Sequence, residues 1–138
     1  MLDHIGITVA DFAASRAFYE RALSPLGYRT VMEVTPEMTG SAARYLGMGQ
    51  DAKPSFWIGA DNSNPVTHGG LHLAMTAASR KAVDAFYEAA IAAGARDNGA
   101  PGIRAHYHPN YYGAFVIDPN GHNLEAVCHL PPMQESQP

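Results

Sequence analysis

Two short segments of the chain alternate between apolar and small or polar residues. Within Leu2–Val9 the apolar side chains from Ile5 onward occupy every second position, and Gly70–Thr76 has the same alternation. A period of two residues is typical of a β-strand with one buried face, so both segments are predicted strands. The apolar set is Ile5, Ile7, Val9, Leu71, Leu73 and Met75, and the opposite set is His4, Gly6, Thr8, His72, Ala74 and Thr76.

A helix is predicted after each of these strands. Asp11 can cap a helix that runs to about Leu26, and Ser79 can cap a second helix that runs through Ala93. Both helices carry an apolar stripe at helical spacing, the pattern of a helix that packs one face on a sheet. The glycines that can end them are Gly27 and Gly94.

The remaining segments predict short strands separated by turns. Residues 61–65 (Asp-Asn-Ser-Asn-Pro) form a polar joint in the middle of the chain, and Asp118-Pro-Asn-Gly121 predicts a hairpin turn. The Gly/Pro/Asn-rich stretch 97–110 is interpreted as a loop around a short strand near Ile103–Tyr107, and 131–138 as a frayed tail. The other predicted strands are 28–34, 42–48, 55–58, 111–117 and 123–128.

The two halves of the chain are related by an internal repeat. A shift of 68 residues places His4 on His72, and nine of the nineteen positions from 4 to 22 then match their counterparts. Each copy has the order β-α-β-β-β, which predicts an α+β fold of two tandem modules. We expect one domain over residues 1–130, with module 1 at about 1–60 and module 2 at about 69–130.

Composition narrows the classes of function. The chain has 138 residues, a formal net charge of −4 and no basic cluster longer than two residues, which argues against nucleic-acid binding. One cysteine, Cys128, excludes an internal disulfide and a multi-cysteine zinc module. Neither a long apolar run nor a signal-peptide pattern is present, so no membrane partner is expected and a soluble cytoplasmic location is the default expectation.

One ligand-capable side chain occurs on each of three predicted strand faces that point away from the helices. These side chains are His4 in the first strand, His72 in the fifth and Glu125 in the last. Two imidazoles and one carboxylate are the set that holds a divalent metal and leaves coordination positions free. Small neighbours on the same faces leave space for a cavity. The sequence therefore predicts a three-ligand metal site.

Four segments of the chain resemble the vicinal oxygen chelate superfamily, which includes glyoxalase I, fosfomycin-modifying enzymes, bleomycin-binding proteins and extradiol dioxygenases. The resemblance covers about residues 2–130, and the Asp-Pro-Asn-Gly…Glu ending is its most specific part. The segments are Asp3–Val9, Ser15–Leu23, the strand around His72, and Phe115–Val127.

The resemblance implies tandem βαβββ modules whose sheets form a curled mixed sheet around a metal cleft, with the helices on the outer face. It implies metal ligands at His4, His72 and Glu125, and a homodimer whose site lies within one chain or is shared by two. Glyoxalase I-like members carry a further acidic ligand in the fourth strand. Here the repeat places Trp57 at that position (125 − 68 = 57), so Trp57 is expected to line the pocket instead.

Other polar and aromatic residues complete the predicted site. Tyr111 and His108 are candidates for an acid, a base or a substrate hydrogen bond beside the catalytic carboxylate Glu125, in a cluster that includes Tyr107. A loop packed by its own aromatic residues is the alternative for this cluster. His122, which follows the hairpin turn, is expected at the surface. The expected substrate pocket comprises Thr8, Trp57, Ala74 and Tyr112.

The predicted function is that of a small enzyme that chelates an oxygen-bearing substrate on a divalent metal ion. Zinc, iron, manganese and nickel all suit the predicted ligands. Lyase, isomerase and dioxygenase chemistry all remain open. The alternative is a non-catalytic protein, of the bleomycin-resistance type, that binds a small aromatic or planar ligand without metal.

Overall fold

The computed structural model describes residues 1–132, so most of the predicted tail lies outside the described residues. Module 1 contains one strand, a helix and three further strands, with a 3-10 turn at Ser24–Leu26 and a one-turn helix inserted. Its elements are β1 (Ile5–Thr8), α1 (Phe12–Ala22), β2 (Arg29–Val34), α2 (Pro36–Thr39), β3 (Arg44–Gly49) and β4 (Phe56–Ala60).

Module 2 repeats this arrangement without the inserted helix. Each module forms one four-stranded mixed sheet, ordered β1-β4-β3-β2 in the first and β5-β8-β7-β6 in the second. The predicted α+β fold with two βαβββ units is thus confirmed. The elements are β5 (His72–Thr76), α3 (Arg80–Ala92), β6 (Arg96–Ile103), β7 (Tyr112–Ile117) and β8 (Asn123–Cys128).

Two of the predicted boundaries are wrong. The segment 97–110 is not a loop around a strand at Ile103–Tyr107, because β6 spans Arg96–Ile103 and turns follow it. β6 is an edge strand whose register against β7 shifts near Gly99, and an edge strand tolerates glycine and Pro101 at such irregularities. The first helix ends at Ala22 instead of Leu26, since the chain tightens into the 3-10 turn.

One face of each sheet is covered by the helix of its module. Ile7 and Val9 of module 1 and Leu73 and Met75 of module 2 are buried on those faces, as the alternation predicts. The helices also contact each other, because α1 packs on α3. The 3-10 turn at Ser24–Leu26 packs on α3 as well. The two modules therefore share one apolar core, which the helices help to form.

A buried polar contact joins the two modules. The Tyr19 hydroxyl of α1 donates a hydrogen bond to Oδ2 of Asp118, in the turn between β7 and β8, and both residues are buried. Oδ1 of Asp118 accepts hydrogen bonds from the backbone N–H groups of Asn120 and His122 at 2.9 and 2.8 Å. This carboxylate thus fixes the hairpin turn and attaches it to the helix of the other module.

Replacement of the N-cap residue of α3 is expected to cost about 1 kcal/mol of unfolding free energy. The Ser79 hydroxyl accepts a hydrogen bond from the Ala82 N–H at 3.1 Å, and Ser79→Ala leaves that donor without its cap. Urea denaturation measures the loss. Ser79→Asp keeps an acceptor and should retain wild-type stability; equal losses in both variants would contradict the capping role.

No helix within residues 1–132 is both long enough and apolar enough to cross a membrane.

Candidate functional site

The β5–β8 pair brings two of the predicted ligands together. These strands are parallel, with His72 opposite Asn123 and Ala74 opposite Glu125. The face that points away from α3 carries the side chains of His72 and Glu125. Nε2 of His72 lies 2.7 Å from Oε2 of Glu125, a direct contact between an imidazole and a carboxylate.

Glu125 is buried, and both of its oxygens have protein partners. Oε1 accepts a hydrogen bond from the Tyr111 hydroxyl, while Oε2 contacts His72, whose side chain is half-exposed. Burial, followed by the adjacent carboxylate, raises the pKa of the Tyr111 hydroxyl, so Tyr111 remains a protonated donor at neutral pH. Tyr111 therefore holds the carboxylate in place, and His72 is the part of the pair that solvent reaches.

These groups line an open cavity of about 340 Å³ on module 2. Its walls include Tyr107 and Phe115 in addition to His72, Tyr111 and Glu125. The Tyr107 and Tyr111 rings are 5.0 Å apart between centroids. The cavity thus combines an aromatic wall with one carboxylate and one imidazole.

Module 1 has a corresponding cavity of about 330 Å³ on its own helix-averted face. His4, Thr8 and Trp57 line it, together with Tyr45. Nδ1 of His4 lies 2.6 Å from Oδ1 of Asp3. The other ring nitrogen of this exposed imidazole, Nε2, does not contact Asp3. A carboxylate on one ring nitrogen is the usual support of a metal-binding histidine.

Within residues 1–132 of one chain, the three predicted ligands do not come together. No group of three His, Cys, Asp or Glu side chains in residues 1–132 is placed to hold a metal ion. Glu125 and His72 line the module 2 cavity, and His4 lines the module 1 cavity. His4 and His72 also line a third cavity of about 540 Å³ together with Ala74, but Glu125 is not among its lining residues. The repeat relates the two histidines by symmetry, but each of them lies on the sheet of its own module.

The donor chemistry of these residues fits a divalent metal ion in part. His72 and Glu125 are adjacent nitrogen and oxygen donors on an open face, a pair that suits zinc, iron, manganese or nickel. Any proton shared between them would have to leave on metal binding. The pair needs a third protein donor for the predicted set, and His4 of the same chain does not supply it.

Two predicted site residues lie elsewhere. Tyr112 follows Tyr111 in the strand region, and its side chain points to the helix side, where its hydroxyl donates to Oδ1 of Asp84 at 2.6 Å. The pocket assignment of Tyr112 is therefore corrected. His108 is exposed in the turn after β6, where its Nδ1 accepts the Asn110 N–H at 3.0 Å, and it does not line the module 2 cavity.

His122 is not the surface residue that the sequence predicted. It is 1% exposed, and neither ring nitrogen has a hydrogen-bond partner within the described part of the chain. The Asp118 turn draws its backbone inward, because the His122 N–H donates to Asp118 and the Asp118 N–H donates to the His122 carbonyl. The position of the turn on α1 therefore decides the burial of this side chain.

Sequence reasoning missed Tyr45 as a cavity residue. Tyr45 of β3 lies opposite Gly59 of β4, and its ring occupies the space above that glycine: a Cβ at Gly59 would lie 2.7 Å from Tyr45 Cδ1. The Tyr45 hydroxyl donates to Oδ2 of Asp61 at 2.7 Å. A glycine in the middle of a strand, opposite an aromatic residue, was the available signal.

The Asp61 carboxylate is expected to stabilise the fold fully above about pH 4 and progressively less as the pH falls toward about 2. Hydrogen bonds from Ser63, then Tyr45 and Asn64, lower the pKa of Asp61 from 3.8 to about 2. A depressed folded-state pKa contributes stability above the unfolded value and loses it as the pH falls. Urea denaturation should show wild type more stable than Asp61→Asn near neutral pH, with the difference shrinking between about pH 4 and 2; a pH-independent difference would contradict this role.

Several solved structures are similar to this chain. A glyoxalase/bleomycin resistance protein from Albidiferax ferrireducens T118 is 29% identical with a TM-score of 0.71, over 91% of this chain and 95% of the other. A glyoxalase/bleomycin resistance protein/dioxygenase family enzyme from Burkholderia phytofirmans PsJN is 24% identical with a TM-score of 0.68, over 94% and 98%.

A more distant similarity is to the fosfomycin resistance protein FosX from Listeria monocytogenes, solved with Mn(II) and 1S,2S-dihydroxypropylphosphonic acid. It is 16% identical with a TM-score of 0.65, over 92% of this chain and 90% of the other, which shows a shared fold. No curated protein sequence matches the chain significantly. The sequence profile of one family matches residues 1–126, nearly the whole chain. The chain therefore belongs to the Glyoxalase/Bleomycin resistance protein/Dioxygenase superfamily.

Proposed function

We propose that this protein is a divalent-metal-dependent enzyme that binds a small oxygen-bearing substrate on a metal held by His72, Glu125 and His4. The observation that carries the proposal is the contact between His72 and Glu125 on adjacent strands of an open face. A bound divalent ion supplies Lewis-acid chemistry, which stabilises negative charge on substrate oxygens. Lyase, isomerase and dioxygenase reactions all use this property, and the residues do not distinguish among them.

The protein groups around this pair would orient it. Tyr111 donates to one oxygen of Glu125 and leaves the other oriented toward His72. On module 1, the Asp3 carboxylate contacts Nδ1 of His4. It also forms an ion pair with Lys53, whose Nζ lies 2.8 Å from Oδ1 of Asp3. Each histidine is therefore positioned by a carboxylate neighbour.

The third ligand comes from a second copy of the chain in this proposal. Within one chain, His4 and Glu125 line different cavities, and the cavity that His4 and His72 both line does not include Glu125. In a homodimer related by a twofold axis, module 1 of one copy faces module 2 of the other, and two equivalent sites form. FosX, which has the same fold, was solved with Mn(II), which is compatible with a divalent ion in this proposal.

A second candidate function is the binding of a small planar ligand without metal. It is favoured by the internal saturation of Glu125, whose two oxygens already contact Tyr111 and His72. It is also favoured by the aromatic side chains that line both cavities. A carboxylate that serves only to fix a tyrosine and a histidine needs no ion.

Metal analysis of the purified protein separates the two candidates. Protein prepared without chelator, then loaded in turn with Mn(II), Ni(II), Zn(II) and Fe(II) and desalted, should retain about one ion per chain with at least one of these metals. His4→Ala and Glu125→Ala should each abolish that retention. If wild-type protein retains no stoichiometric metal under any loading, the enzyme proposal fails and the binding protein remains.

A further inference from the structure

A further cavity lies beside the N-terminal turns of α1, and none of the proposed metal ligands lines it. It has a volume of about 260 Å³ and is bounded by α1, the end of β2, the inserted helix α2 and the start of β3. Module 2 has no counterpart of α2, so this cavity depends on an element that only module 1 contains. The lining residues that matter for its chemistry are Phe12, Arg16, Glu33, Glu37 and Arg44.

The two arginines of this cavity differ in how their charges are compensated. Arg16 donates to Glu20 at 3.1 Å and forms an ion pair with Glu33. Arg44 instead lies over the Phe12 ring, with its guanidinium carbon 5.6 Å from the ring centre. Within residues 1–132, none of the ion pairs of the chain includes Arg44. A guanidinium group has five N–H donors in its plane, so Arg44 has donors available to a ligand in the cavity.

The corresponding position in module 2 shows what the contact between Arg44 and Phe12 does for packing. The repeat places Phe12 on Arg80 and Arg44 on Tyr112 (12 + 68 = 80, 44 + 68 = 112). In module 2 the Arg80 guanidinium lies over the Tyr112 ring at 5.2 Å, so the same kind of pair joins helix to strand with the two partners exchanged. The exchange places the guanidinium of module 1 on the strand, where α2 adds a cavity beside it.

Charges of both signs face this cavity in equal number. Two guanidinium groups and two carboxylates line it, so its formal charge is zero. Glu37 of α2 resembles Arg44 in that no ion pair within residues 1–132 includes it. A cation and a carboxylate thus line one cavity without pairing with each other. A ligand that carries both charges would satisfy both groups, and its apolar part would meet the apolar lining residues Phe12, Val34 and Pro36.

We infer that this cavity binds a small zwitterion, an α-amino acid with an apolar side chain. Arg44 binds the carboxylate of the ligand, and Glu37 binds its ammonium group. The ion pair of Arg16 with Glu33 forms one side of the cavity and stays intact. This site uses none of the proposed metal ligands and needs no second copy of the chain, so it goes beyond the proposed function.

Titration with L-leucine and two of its derivatives tests the inference on the wild-type protein. N-acetyl-L-leucine lacks the ammonium group, and L-leucinamide lacks the carboxylate. In nitrogen-15-labelled protein, L-leucine should produce saturable shifts of the Thr35 and Glu37 amide signals, and each derivative should bind at least about tenfold more weakly. No saturable shift with L-leucine, or equal affinity for either derivative, would overturn the inference.

Two variants identify the charged groups. Arg44→Gln and Glu37→Gln should each weaken L-leucine binding about tenfold or more. Glu37 is exposed, and its variant keeps the contact between Arg44 and Phe12, so a loss of binding there does not come from lost packing. Arg21→Gln, at an exposed arginine of α1 that does not line the cavity, is the matched control and should bind like wild type. Wild-type affinity in folded Arg44→Gln or Glu37→Gln protein would overturn the inference.

The titrations are carried out in the presence of a chelator, because α-amino acids themselves bind divalent metals through nitrogen and oxygen. Glu125→Ala protein should bind L-leucine with wild-type affinity, since Glu125 does not line this cavity. If that variant loses L-leucine binding while Arg44→Gln retains it, the amino acid binds at the proposed metal site and the inference is overturned.

Discussion

Substitution of Glu125 by glutamine is expected to lower the affinity for the best-retained divalent metal by at least about a hundredfold, since loss of an outer-shell partner alone costs about 10–100-fold. The glutamine keeps the size of the buried side chain but replaces a carboxylate that contacts His72 and Tyr111 with a neutral amide. The proposed metal site then keeps its two histidines but has no carboxylate ligand. Calorimetric titration of the metal-free variant measures the change.

Glu88→Gln is the matched control for this experiment. Glu88 is an exposed residue of α3, on the side of the sheet away from the cavity, so its variant should bind metal like wild type. Circular dichroism confirms that the Glu125 variant is folded, and Glu125→Asp should retain more affinity than the glutamine variant. Wild-type affinity in a folded Glu125→Gln protein would remove the carboxylate from the metal site.

Substitution of Asp118 by alanine is expected to lower the free energy of unfolding by about 3 kcal/mol, because it leaves buried donors without their charged acceptor. Those donors are the Tyr19 hydroxyl and the backbone N–H groups of Asn120 and His122. The loss should affect both the hairpin turn and its attachment to α1. Urea denaturation at one fixed protein concentration measures it, since a dimer makes stability depend on concentration.

Asp84→Ala is the control that isolates the effect of burial. Asp84 also accepts a hydrogen bond from a tyrosine, Tyr112, but it is only partly buried, so its loss should cost about 1 kcal/mol. Tyr19→Phe should cost less than Asp118→Ala, because the backbone donors keep their acceptor. If Asp84→Ala and Asp118→Ala cost the same, burial would not be the source of the Asp118 effect.

The sequence predicted the strands that are rich in apolar or β-branched residues and missed β6, which is rich in glycine and polar residues. In β5 the apolar residues Leu73 and Met75 are buried and their neighbours are exposed, so alternation and structure agree. β6 reads Arg-Asp-Asn-Gly-Ala-Pro-Gly-Ile and lies at the sheet edge with shifted register. An edge strand is held by backbone pairing on one side only, and that pairing leaves little trace in side-chain periodicity.

The site was predictable where it depended on alternation within one strand. His72 and Glu125 meet because their strands pair in parallel. Trp57, which the repeat places at the position of Glu125, lies opposite Gly6 and lines the module 1 cavity. Alternation also explains why Tyr112 was misassigned. Neighbouring residues of a strand point to opposite faces, so Tyr111 at Glu125 places Tyr112 on the helix side. Burial of His122 depended on contacts between modules, which no local pattern contains.

The relation between the modules could not be read from the repeat. A duplicated sequence predicts two similar units and two similar histidines, but it does not say which units face each other. In one chain α1 packs on α3, and His4 lines a cavity with His72 but none with Glu125. The proposed metal site therefore takes its ligands from two copies of the chain, and its most direct test combines two different copies.

Mixing His4→Ala and Glu125→Ala chains tests that statement most directly. The two variants are unfolded together at equal amounts, refolded, loaded with metal and desalted, and the retained metal is counted per chain. A heterodimer has one site that combines intact His4 from one copy with intact His72 and Glu125 from the other, so random pairing should restore about one quarter of the wild-type metal content. Each variant refolded alone should retain none. A mixture that retains no more metal than the separate variants would contradict a site shared between two chains.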